Sequence, residues 1–244
     1  MNTNTSLLQI SDIEVLVLRK SVKNLHLNVL PPIGKVRVTA PFYMKDDAIQ
    51  TFLATRLSWI RKQQARFKSQ ERQTPREYVS GETHYFLGNK YKLEVIRDDV
   101  KPKVEIAGKK KIVLTVRPDN SLSKREQVML NWYREELRTL LYKAIGKWED
   151  IIGVKVNNWG IKRMKTRWGT CNNKLRTIWL NLELAKKPVS CVEYVVVHEL
   201  VHLIEQKHND KFIALMDNYL PKWRSERDEL NRFILSFEEW NQQT

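Results

Sequence analysis

Apolar residues recur at two different periods along this chain. In IEVLVLRKS (13–21) and LHLNVL (25–30) they alternate in part, and in VRVTA (36–40), after the turn-forming PPIG, they alternate cleanly. A period of two predicts half-buried β-strands. From Lys45 to Gln70 the spacing lengthens. Ile49, Phe52, Leu53, Leu57, Trp59 and Ile60 share one face of a predicted helix, which turns polar and basic toward its end. Alternation then returns. THYFLGNKYKLEVI (83–96) predicts a hairpin about Gly88-Asn89, and KVEIAGKKKIVLTV (103–116) predicts another about Gly108.

The second half is mostly helical. A long helix is predicted to start near Ser123 and to end at Gly153. Residues 154–184 form a further β region, with a turn at Asn172-Asn173, since Asn tolerates the left-handed conformation. Pro188 suits the N-terminus of the next helix. KFIALMDNYL forms another that stops before Pro221, and a charged helix is expected from Lys222 to Asn241. Pro118, Asp119, Asn120 and Ser121 read as a linker. They divide the chain into residues 1–120, a β-rich N-terminal part with one helix, and residues 121–244, a helical domain with a small β-sheet. The fold class is α+β. No internal repeat is visible in the sequence.

Composition narrows the setting. The chain has 244 residues, 42% of them hydrophobic, which is enough for a substantial core. Two cysteines, Cys171 and Cys191, do not make a disulfide framework. No signal peptide is recognised and no run of about 18 apolar residues occurs, so the expectation is a cytoplasmic protein without a membrane partner. The net charge is +15, most of it before residue 121. Such an excess attracts nucleic acid or nucleotides, although it also serves solubility.

Chemistry concentrates in VVVHELVHLIEQKH (195–208), which holds three of the five histidines. His198-Glu199-Leu200-Val201-His202 is an HExxH sequence. Four residues apart on a helix, both imidazoles lie on one face and can reach one metal ion, while Glu199 beside them can reach an activated water. The preceding YVVV marks the helix as buried, where unpaired polar groups are costly. A hydrogen-bonded pair of core histidines is the alternative. His208 is the third candidate ligand. On an unbroken helix it would lie about 15 Å from His198, so the chain must turn back after His202. Glu205 and Glu193 are rival carboxylate ligands.

RWGTC (167–171), NLEL (181–184), KKP (186–188), YVVVHELVHL (194–203) and HNDKF (208–212) resemble the YgjP-like metallopeptidase family, a relative of the SprT-type zinc proteases. RKSVKNLHLNVLPPIGKVRVTAP and REYVSGETHYFLGNKYKLEV extend the resemblance over most of the chain. The resemblance implies a zincin-like catalytic domain. It also implies Zn²⁺ on His198, His202 and His208, Glu199 as general base toward a zinc-bound water, and a peptide or protein substrate. The histidine spacing also equals that of the metzincins, which carry a glycine where this chain has Glu205.

The segment before the catalytic helix is the clue to substrate. Lys162, Arg163, Lys165, Arg167, Lys174 and Arg176 alternate with Trp159, Trp168 and Trp179. Cations with aromatic platforms suit nucleotide phosphates or nucleic acid, and a strand near a metal can align a peptide. Lys165, Arg167 and Trp168 are the substrate-binding candidates. Lys165, Arg167, Tyr194 and Tyr219 are candidate donors to an oxyanion. Equally, the tryptophans could be core and the charges a solvated strand face. Cys171 reads as a small buried residue, and His26 and His84 as structural. Beside a plain peptidase stand one variant, the DNA-associated protease, and two rivals of other classes. The rivals are a metal-dependent nucleoside triphosphate (pyro)phosphohydrolase and a non-enzymatic nucleic-acid-binding zinc protein.

Overall fold

The computed structural model describes residues 4–30, 33–69, 76–164 and 167–232. The chain forms two compact units, residues 1–73 and 74–244. The expected boundary after residue 120 therefore falls inside the second unit. The physical reason is a shared core. Phe86, Leu93, Ile112, Leu114 and Val116 from the second β block pack in one cluster with Met129, Tyr133 and Leu137 of the long helix. Residues 118–121 are only a connection, and Ser121 accepts a bond from Lys124 N at 3.3 Å to cap the helix that follows.

The first unit holds β1 (Asn4–Ile10), β2 (Ile13–Lys20), β3 (His26–Leu30), β4 (Lys35–Pro41), α1 (Asp46–Thr55) and α2 (Leu57–Ser69). Its sheet runs β1-β2-β4-β3, with β2 and β4 parallel and both outer pairs antiparallel. Val15, Val17, Val36 and Val38 alternate inward beneath Ile49, Leu53 and Ile60. The single helix expected over 45–70 is two helices. Arg56 leaves helical geometry at φ −110°, ψ 4°, and its N–H turns back to Leu53 O at 3.0 Å. The break redirects the chain so that Ile49, Leu53 and Ile60 all reach one core.

The second unit holds β5 (Thr83–Phe86), β6 (Asn89–Arg97), β7 (Lys103–Ala107), β8 (Lys111–Val116) and α3 (Leu122–Ile152). It continues with β9 (Asn158–Lys162), β10 (Gly169–Asn172), β11 (Thr177–Asn181), a 3-10 helix (Leu182–Lys186), α4 (Val189–Val201), α5 (Asp210–Tyr219) and α6 (Trp223–Arg232). The C-terminal part of the expected last helix, beyond Arg232, lies outside the described residues. Gly153 ends α3 in the left-handed conformation, φ 74°. Among the described residues no helix is long and apolar enough to cross a membrane.

The first sheet of the second unit runs β5-β6-β8-β7, again with a parallel central pair and antiparallel outer pairs. It repeats the strand order of the first unit, and in both cases helices follow. Val36, Val38 and Ala40 of β4 occupy the places of Ile112, Leu114 and Val116 of β8. The repeat is visible in strand order and burial pattern.

The smaller sheet runs β10-β11-β9, with β9 parallel and β10 antiparallel to β11, so that β10 is an edge strand. The turn between β10 and β11 differs from expectation. Arg176, not an asparagine, takes the positive φ, 49°. Asn172 acts through its side chain, accepting a bond from Leu175 N at 3.1 Å, and Arg176 Nε donates to Lys155 O at 2.7 Å.

One contact fixes the start of α4. The β5–β6 turn is the two-residue pair Leu87-Gly88, one position earlier than expected, with both φ values positive at 46° and 83°. Leu87 N donates to Ala185 O at 2.9 Å, and Gly88 N to Lys186 O at 3.3 Å. A Cβ on Gly88 would lie 2.9 Å from Pro188 Cγ and 3.1 Å from Pro188 Cα. Replacing Gly88 by Ala combines a strained φ with a backbone clash. It is expected to destabilise the second unit by about 1–3 kcal/mol, read as a lower urea midpoint with unchanged slope.

Candidate metal centre

Helix α4 is buried nearly all round. Cys191, Val192, Tyr194, Val195, Val196, Val197, Leu200 and Val201 are all inaccessible or nearly so. It crosses α3, α5, α6 and the small sheet. At its C-terminal end the polar exceptions are the candidate site residues. His198 and His202 lie one turn apart, with ring centres 4.8 Å from each other. Glu199 between them is 5% exposed.

The helix ends at His202. Leu203 N and Ile204 N donate to Leu200 O and Val201 O, both at 2.9 Å, which tightens the last turn. Asn209 then caps α5 by accepting from Phe212 N at 3.0 Å. This reversal brings His208 back, with its Nε2 3.1 Å from His198 Nε2. One ligating nitrogen from each of His198, His202 and His208 lies within 4.8 Å of the others. Phe212 packs against all three rings, with centres 4.7–5.0 Å away. The rival carboxylates are engaged elsewhere. Glu193 pairs with Lys147 at 2.8 Å, and Glu205 accepts from Lys207 N at 3.1 Å.

The protonation of His198 and His202 suits a metal. Burial first, then His202 and His208, hold His198 down to about 3. Burial also lowers His202. His202 Nδ1 donates to Glu205 O at 3.0 Å, which fixes the tautomer and leaves Nε2 as a lone pair. His198 Nδ1 is buried without a hydrogen-bond partner among the described residues, so ring packing by Tyr194 and Phe212 orients it. Neutral imidazoles with converging lone pairs repel unless a proton or a cation stands between them. The donor set therefore fits a divalent metal that prefers nitrogen, zinc above all.

Glu199 points the other way, into β10. A Cβ on Gly169 would fall 2.5 Å from Glu199 Oε1 and 2.7 Å from Cγ. Gly169 is thus what lets the strand approach the carboxylate. Burial pushes Glu199 up to about 8, and Arg167 partly offsets this. The two elements enclose a cavity of about 510 Å³. Arg167, Gly169, Thr170, Cys171 and Asn173 line one wall, and His198, Glu199, His202, Gln206 and His208 the other.

The remaining sequence candidates disperse. Arg167 lines the cavity, but Trp168 packs on the core, with Lys187 Nζ 5.5 Å above its ring. Lys165 lies outside the described residues. Tyr219 donates to Ile152 O at 3.5 Å, and Tyr194 stacks on Trp223 at 6.4 Å. Trp159 packs on the core, and Trp179 lies across Gly160 beneath Lys162 Nζ, 3.4 Å from its ring centre. Arg163 faces Glu126 at 3.5 Å. Lys162 and Trp179 thus serve one another, whereas Trp168 and Arg163 have partners outside the group. His84 is buried and bonded to Glu82 at 3.0 Å, as a structural residue would be. Cys171 is not simply buried. It is half-exposed in the cavity wall, bonded to Asn173 Oδ1 at 3.3 Å, with its thiol pushed up to about 11 by burial and by Glu199. Sequence reasoning passed over Gly169, Thr170 and Gln206. The glycine beside Trp168 in RWGTC was the only available signal for the first.

The family model described as YgjP-like, metallopeptidase domain, matches residues 23–233. Among solved structures, the chain is similar to the metallopeptidase zymogen abylysin of Pyrococcus abyssi, at 20% identity and a TM-score of 0.35 over 36% of this chain and 90% of that one. It is also similar to the jannalysin zymogen of Methanocaldococcus jannaschii, at 24% identity and a TM-score of 0.33 over 36% and 83%. No curated protein matches the sequence.

Two outcomes are expected. His208→Ala, or either alanine at His198 and His202, should lose most of the metal, whereas Glu199→Gln should keep it, read as zinc per chain after dialysis. Gly169→Ala should cost about 1–3 kcal/mol in a urea titration, because a buried carboxylate must move aside.

Proposed function

The chain belongs to the YgjP-like metallopeptidase family, and on that premise we propose that it is a zinc-dependent peptidase whose general base is Glu199. One observation carries the reading: a buried carboxylate stands beside three converging imidazoles, and both face one open cavity. His198, His202 and His208 would hold the metal. Bound there, zinc supplies a Lewis acid that acidifies water and polarises the scissile carbonyl.

The chain's own residues do the rest. Glu199 takes a proton from the attacking water and returns it to the leaving amine. Burial raises the proton affinity of this carboxyl, so that once ionised it is a stronger base than an exposed carboxylate. Arg167, on the facing wall, is the donor best placed for an oxygen that gains charge in the reaction. Strand β10 is an edge strand and lines the cavity, so an extended polypeptide can add to it and lay its backbone along the metal site. That arrangement favours peptide over nucleotide. The described chain offers no phosphate cradle at the site, and Arg163 and Lys162 are taken up by Glu126 and Trp179.

The test is cleavage of an unfolded protein and of a quenched fluorescent peptide set by the zinc-loaded chain. Glu199→Gln should keep zinc yet lose about 100-fold or more in rate. A wild-type chain that holds zinc, leaves every polypeptide intact and turns over nucleoside triphosphates would overturn the reading.

A further inference from the structure

Three buried polar side chains, Asn181, Glu183 and Lys187, fall within seven residues of chain from the end of β11 to the start of α4. Burial of polar groups is costly unless they are fully paired, so each needs a reason to be there. Glu183 has one: both its oxygens accept from Lys186 Nζ, at 3.0 and 2.8 Å. Burial alone would raise its carboxyl, but Lys186 and Lys187 hold it below the usual range. Lys187 lies against the ring of Trp168.

Asn181 has no solvent exposure at all. Its Nδ2 donates to Met164 O at 2.7 Å and to Arg167 O at 2.8 Å. Its Oδ1 accepts from Met164 N at 3.3 Å and from Glu183 N at 3.2 Å. Both amide protons and both lone pairs are therefore used. Its backbone N–H adds a bond to Trp168 O at 2.9 Å. Most of these bonds reach back across the chain to the segment between β9 and β10, which carries Arg167 and leads into Gly169. At Met164 and Arg167 that segment belongs to no strand. One side-chain amide bonds its backbone there in place of a sheet ladder.

We infer that Asn181 is a positioning residue for the cleft: it sets the place of Arg167 and Gly169 opposite Glu199. The catalytic consequence rests on the peptidase reading above; the structural one does not. The geometry admits few substitutes. Aspartate loses both donors and sets a charge against two carbonyls. Alanine leaves the carbonyls of Met164 and Arg167 without this partner. Glutamine is too long for a site without free space. Serine keeps one donor.

The experiment uses the full zinc-loaded chain with Asn181→Ala, Asn181→Asp and Asn181→Ser, each alone and combined with Arg167→Ala. Zinc content, backbone amide exchange and peptide cleavage are measured on all of them. Zinc should be retained, because the ligands lie on α4 and the turn after it. Exchange should rise in residues 167–171 while α4 stays protected. In the wild-type background kcat should fall roughly tenfold or more, with a smaller change in KM. Serine should recover part of the loss. In the Arg167→Ala background the same Asn181 substitutions should cost little more, because the side chain they misplace is already gone. Unchanged exchange at 167–171 in the serine and alanine variants would overturn the inference. So would an equal loss of rate in both backgrounds, which marks a general structural role. If the wild-type chain cleaves no peptide, the peptidase reading fails, and the exchange measurement still decides the placement.

Discussion

Helix α4 has almost no face left for water, yet its C-terminal end carries two imidazoles and a carboxylate. That conflict governs the second unit. An apolar helix in a core is easily accommodated. A helix with ionisable groups at one end is accommodated only if a cavity opens there and nowhere else. The cavity opens where α4 stops, with His202 at the boundary and His208 returning on the far side of the turn. Everything upstream keeps the helix in register with that opening: the Leu87-Gly88 turn seated on Pro188, the 3-10 helix, and α3 alongside.

The opposing wall is equally constrained. β10 approaches α4 closely only because position 169 has no side chain, and the resulting burial leaves Glu199 largely unsolvated. Desolvation, more than any neighbouring charge, tunes this carboxyl. Arg167 tempers the effect without cancelling it. A site with many acidic or basic neighbours would be adjusted by salt and substitution. This one is adjusted by how tightly two elements pack.

The parts of the fold that follow from periodicity were legible in the sequence, since they depend on neighbours in the chain. The strands at 13–20, 26–30 and 35–41, the long helix ending at Gly153 and the HExxH helix all follow from spacing and terminators. The need for the chain to reverse before His208 followed from the rise of a helix alone. Long-range packing was not legible. The break at Arg56 exists because one core must receive Ile49, Leu53 and Ile60 together. The place of β5–β8 beside α3, rather than in the N-terminal part, is a property of shared burial. Gly169 and Asn181 look ordinary in sequence. Their importance lies in what they face, Glu199 in one case and the backbone of Met164 and Arg167 in the other.

The repeated strand order carries a consequence for how the chain comes apart. Each four-stranded sheet closes over its own apolar cluster, and the two clusters share no member. Each cluster is then a core of its own to lose, and a single fitted midpoint, which assumes one all-or-none transition, describes the chain only if both are lost together.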